Sequence, residues 1–144
     1  MDDTLTTGTT AVSPPTAWPV AGLLVDALTR RDFADLAACF EPEVRMRAVL
    51  PRAVIDLQGA ETVAAKFAEW FGGSDRFEVL DASAGLIGPR QYVRWRVRMW
   101  PADRTAGSRI IEQHAFTRGG DRVESLDLLC SGFHAEEQSA GGAR

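Results

Sequence analysis

Residues 109–131 read RIIEQHAFTRGGDRVESLDLLCS, two runs of alternating apolar and polar side chains hinged on Arg118-Gly119-Gly120-Asp121. Period-two alternation marks a half-buried strand, and a short glycine-bearing turn between two such runs marks a hairpin. Counting outward from a four-residue turn pairs Phe116 with Val123, His114 with Ser125 and Glu112 with Asp127. These six side chains then share one sheet face, because successive strand residues point to opposite sides. The other face carries Ile111, Ala115, Leu126 and Leu128, together with Gln113 and Glu124.

Two further strands precede this hairpin. Tyr92–Trp100 alternates arginine with Val93, Trp95, Val97 and Met99, and Phe77–Leu86 reaches it through the turn Ile87-Gly88-Pro89-Arg90. Upstream of this meander the period changes to that of a helix. Trp18, Ala21, Val25 and Leu28 recur at helical spacing behind a capping Thr16. Phe33, Leu36, Ala37 and Phe40 do so behind Asp32, with Glu41-Pro42 closing the second helix. Val44 to Leu50 returns to alternation, Ala53–Leu57 is extended, and Ala60–Phe71 forms a third helix ended by Gly72-Gly73. Helices gathered ahead of an antiparallel sheet give an α+β class.

The chain has 144 residues, enough for one core, and 45% hydrophobic against 25% charged residues places it among globular domains rather than disordered ones. Residues 1–15 are rich in Thr, Gly and Pro without periodicity and read as a disordered leader. The stretch 135–144 reads as a tail, leaving 16–134 as the folded unit. A net charge of −4 argues against nucleic acid as partner, since binding phosphates calls for a basic excess. No apolar run approaches the roughly 20 residues of a membrane span. The acidic Met1-Asp2-Asp3 start is unlike a signal peptide, so a cytoplasmic location is expected. Cys39 and Cys130 have no metal-ligand spacing and are read as reduced thiols. Fifteen arginines against the single Lys66 fit a GC-rich bacterial genome.

Taken in order, Asp32-Phe33-x-x-Leu36-x-x-x-Phe40-x-Pro42-x-Val44, Gly59-Ala60-Glu61-x-Val63-x-x-x-Phe67, Val93-x-Trp95-x-Val97 and Phe116–Val123 resemble the nuclear transport factor 2-like superfamily. That group includes ketosteroid isomerases, limonene epoxide hydrolases, scytalone dehydratases and SnoaL-like polyketide cyclases. The resemblance implies a cone: a curved antiparallel sheet wrapped around three helices, enclosing a pocket, often in a homodimer formed through the convex face. It also implies a small, largely apolar organic ligand, a setting in secondary metabolism, and an acidic side chain on the third meander strand, where Glu112 falls. The turn is one residue longer than in the isomerases, their catalytic tyrosine has no counterpart, and the Arg-x-Asp pair of the epoxide hydrolases is absent.

Two readings of the last hairpin follow. In one, the Glu112–Asp127 pair faces the pocket. Two apposed carboxylates there would not both ionise, so one serves as acid and the other as base. His114 is their partner, and Trp95, Val97, Phe116 and Ser125 line the substrate site. Isomerisation, cyclisation, dehydration or hydration would need no cofactor and no metal from such a set. In the other reading Glu112 and Asp127 lie on the convex face beside Arg94, Arg96 and Arg98. The domain is then a non-catalytic ligand-binding or dimerising module with a filled cone and a large exposed patch.

Overall fold

Val20 and Ala21 on one side and Ala27 and Leu28 on the other lie three or four residues from Leu24, and the five form the buried stripe of α1 (Ala17–Arg30). The structure, a computed structural model, describes residues 17–74, 76–101 and 107–136. Thr16, the leader, the side chain of Trp18 and most of the Pro101–Gly107 loop fall outside them. Asp32 caps α2 (Phe33–Ala38) as its residue type predicts: the carboxylate accepts the Asp35 N–H at 3.0 Å. That backbone bond holds the Asp32 carboxyl below its ordinary pKa. The helix ends earlier than Glu41-Pro42. Phe40 already begins β1 (Phe40–Leu50), drawn into the sheet by the Val123 N–H donating to Cys39 O at 2.8 Å.

Along β1, Val44, Met46 and Ala48 are buried while Arg45, Arg47 and Val49 are exposed, as the alternation requires. A tight connection returns the chain antiparallel as β2 (Ala53–Gln58). Helix α3 (Ala60–Phe71) buries Val63, Ala64, Phe67 and Phe71. The meander β3 (Arg76–Ile87), β4 (Arg90–Trp100), β5 (Arg109–Gly119) and β6 (Val123–Cys130) completes the sheet, with a two-residue β7 (His134–Ala135) against the start of β5. The strand order is β2-β1-β6-β5-β4-β3.

One expectation is corrected here. The sheet is mixed, because β1 and β6 run parallel while the other pairs are antiparallel. No hairpin links these two strands, so no short connection constrains their relative direction. The stretch assigned to the tail also differs: Ala135 pairs with Arg109, and Glu136 is bound by Arg98 and Ser108.

The helices cover the concave face of the curved sheet, with α1 against β3 and β4 and α3 against β1. Trp95, Val97, Ile111, Phe67, Phe71, Leu24 and Leu28 are all at 0% exposure, so this side is filled with side chains. Trp95 meets Phe67 edge to face with centroids 6.1 Å apart. At the junction of α1 and α2, Arg31 adopts a left-handed φ of 56°. Its guanidinium donates to Phe71 O, Ser74 O and Ser74 Oγ at 3.0–3.1 Å, joining that corner to the end of α3.

Candidate functional site

The face assignment of the last hairpin turns on one residue. Gly119, with φ 143°, pairs with Val123, whereas Arg118 pairs with Ser125, leaving Glu124 as an extra residue in β6. A Cβ at Gly119 would stand 2.1 Å from Arg122 O, so only glycine permits this close turn. The bulge turns Val123 into the core at 1% exposure. The turn also lies later than the count assumed, with Gly119 rather than Phe116 opposite Val123. That displacement of three and the bulge of one together place Asp127 opposite Phe116 and not Glu112.

The expected site residues are therefore divided. Trp95 and Val97 are core residues rather than the walls of an open pocket. Glu112, His114, Phe116, Ser125 and Asp127 share one face, as expected, but it is the convex one: Ile111, Gln113, Ala115 and Thr117 between them are buried. The facing carboxylates do not meet.

Glu112 and His114 are nonetheless joined, with Nε2 2.5 Å from Glu112 Oε2. A residue that sequence reasoning missed extends the chain: Tyr92 Oη lies 2.9 Å from His114 Nδ1. In the tautomer whose Nε2–H donates to Glu112, Nδ1 is free to accept the phenolic proton of Tyr92. Its signal was available, since Tyr92 and His114 occupy the same face two positions apart in the β4–β5 register, where Arg94 pairs with His114. Around them Val49, Phe116 and Leu129 form a shallow apolar hollow of about 350 Å³.

Two polar features occupy the concave side. Gln113, at 0% exposure, accepts the Trp95 Nε1–H at 3.0 Å and donates to Cys130 Sγ at 3.3 Å. The Gly132 N–H also donates to that sulfur. Beyond Met99, where α3 ends and β4 leaves the sheet, a second hollow of about 240 Å³ opens. Trp70, Met99 and Phe133 supply its apolar wall, and Glu69, Ser74 and Arg109 its polar rim.

With this geometry in hand, the comparison that decides affiliation is a match of the SnoaL-like domain to residues 22–125. The chain belongs to the SnoaL-like family. Solved structures agree on the fold of this SnoaL-like chain. A protein of Kribbella flavida DSM 17836 with a provisional ketosteroid isomerase description is 19% identical, with 85% of this chain and 81% of that one aligned at a TM-score of 0.55. A SnoaL-like polyketide cyclase, also provisionally so described, from Shewanella putrefaciens CN-32 is 13% identical over 83% and 92%, at 0.62. A de novo designed protein with a curved β-sheet is 17% identical over 84% and 89%, at 0.53. No curated protein sequence matches. A likeness that takes in an isomerase, a cyclase and a designed scaffold concerns architecture, and chemistry has to be argued from the site. Among the described residues no helix is long and apolar enough to cross a membrane.

Proposed function

We propose that this SnoaL-like protein binds a compact, largely apolar organic molecule in the hollow beside Trp70, Met99 and Phe133. The observation that carries the reading is the hollow's place and lining: it adjoins the concave side, has three large apolar walls, and has one arginine, Arg109, on its rim. At about 240 Å³ it is smaller than the roughly 300–1,000 Å³ typical of ligand pockets, and Trp95 with Gln113 fills the space behind it. The ligand is accordingly small, and a carboxylate or similar acceptor on it suits the Arg109 guanidinium. Glu112 and His114, expected from sequence as the acid–base group, open on the opposite face, so the reading is one of binding and assigns no proton transfer to them in this hollow.

Benzoate and benzamide are suitable probes, because they differ in charge at nearly constant shape. Titration followed by Trp fluorescence and amide shifts is expected to perturb residues 70–74, 99 and 133, with benzoate the stronger ligand. Loss of the benzoate preference in Arg109→Gln supports the reading; shifts confined to other surfaces sink it.

A second reading has its own observation. Val54, Val49 and Leu129 stand side by side across β2, β1 and β6 at 52%, 43% and 60% exposure, an apolar row on the convex face. We propose that two copies associate there. Sedimentation of the wild type against Leu129→Glu tests it, a concentration-dependent dimer lost in the variant being the expected outcome.

A further inference from the structure

Four residues along the strands from that apolar row, about 13 Å away, the convex face carries a different feature. Arg45 of β1 and Arg118 of β5 flank Ser125 of β6, each paired to it in register. Between two long side chains the small serine leaves a notch. Arg47 and Arg90 complete its wall, and the resulting hollow measures about 250 Å³. Asp56 and Asp127 also line it, so the local balance is four cations against two anions, in a chain whose total is −4. Among the described residues none of these four guanidinium groups is ion-paired, whereas Arg30, Arg94 and Arg98 on the same molecule are.

We propose that this notch is a binding site for a small dianion, a phosphate monoester or a compact dicarboxylate. Guanidinium groups present forked donors that match the paired oxygens of either group, and the Ser125 hydroxyl offers a further donor at the floor. The local excess of two positive charges matches a dianion. Like-charged groups held round one hollow repel one another, and a bound dianion relieves that repulsion. The site lies apart from the hollow at Trp70. It shares Arg47 and Asp127 with the hollow beside Val49 and Leu129, and titrating Leu129→Glu alongside the wild type separates anion binding from association of two copies.

Titration of the full chain with inorganic phosphate and with succinate, read by calorimetry and amide shifts, tests the proposal. Saturable one-to-one binding of either probe is expected, with shifts at Ser125 and Arg118, and the tighter of the two identifies the head group. Arg47→Ala and Arg118→Ala should each weaken binding about tenfold, Ser125→Leu should block it by filling the notch, and Arg96→Ala, elsewhere on the same face, should leave it unchanged. Added salt should weaken it steadily. Three outcomes overturn the proposal: no saturation, an equal loss in Arg96→Ala and Arg118→Ala, or a dimer that dissociates in Arg118→Glu because the notch serves a second copy. Benzoate binding at the other hollow should persist in Arg118→Ala, so failure there and failure here are distinguishable.

Discussion

The two faces of β4 and β5 are built from alternate residues of the same strands and do opposite things. On the concave side Val93, Trp95, Val97, Ile111, Gln113 and Ala115 are sealed at 0% exposure. On the convex side Tyr92, Arg94, Arg96, Glu112, His114 and Phe116 remain half-buried or exposed. The polar groups differ in kind as well. Gln113 is satisfied inside a rigid chain of partners, whereas His114 and Glu112 at 37% and 33% side-chain exposure are open to water and to ligands. The lesson is that the face carrying the titratable groups is not the face carrying the packing. Stability and recognition can therefore be varied separately.

The largest effect that could break this contrast is at Trp95. Trp95→Ala removes the biggest fully buried side chain and leaves Gln113 Oε1 without its donor. A loss of about 3–5 kcal/mol in urea-induced unfolding is expected. Gln113→Leu keeps the volume but orphans the Trp95 indole N–H, and should cost about 1–3 kcal/mol by the same measurement. Were either change neutral, the concave side would not be the packed one.

How far these faces were legible in sequence depends on the segment. The helices were legible because Ala21 and Leu28, and Phe67 and Phe71, recur at helical spacing and Asp32 caps the second helix. The stripe through Val25 passed over Leu24, which is the fully buried residue of that turn. The strand Val44–Leu50 was legible because a two-residue period continues through it. Residues 109–131 show where legibility stops. Their alternation named both strands correctly and grouped Glu112, His114, Phe116, Ser125 and Asp127 on one face, but the place of the turn, with Gly119 opposite Val123, and the bulged residue Glu124 together decide which partners meet. Apolarity already favoured Ile111, Leu126 and Leu128 as the inner set, and that signal outweighs a count from an assumed turn. The hollow at Trp70 was not legible at all, since its lining comes from α3, β4, β5 and the segment after β6, which no local pattern brings together.

Gly119→Ala sharpens the contrast at that turn. The added methyl collides with Arg122 O, so destabilisation of upwards of about 1 kcal/mol is expected, with altered amide shifts from Val123 to Ser125 by NMR. On the convex side the expected effect on stability is far smaller. Leu129→Glu should change unfolding free energy by no more than about 0.5 kcal/mol while altering association, which separates the two faces in one variant. The smallest effect is local and depends on pH. Arg98 and Ser108 hold the Glu136 carboxyl down at about 2, below its ordinary 4.5. A depressed acid contributes its stabilisation above the ordinary value and loses it as the pH falls from 4.5 toward 2. Amide exchange at Ile110, which pairs with His134, should quicken over that window while the β4–β5 amides stay protected.

The parallel pairing of β1 with β6 has a bearing on how the molecule comes to exist. Met46 and Leu126 are neighbours in the sheet yet 80 residues apart in the chain. The β3–β6 meander can zip together through short turns, each closing a small loop at little entropic cost. Strand β1 has no such route. Emerging early from the ribosome with β2 on one side, it presents an unsatisfied edge, flanked by Val44, Met46 and Ala48, until almost the whole domain has been made. Closing the sheet is then the late, slow step expected of distant pairings. The period of greatest exposure to misassociation falls during synthesis, at an edge that the finished protein no longer offers.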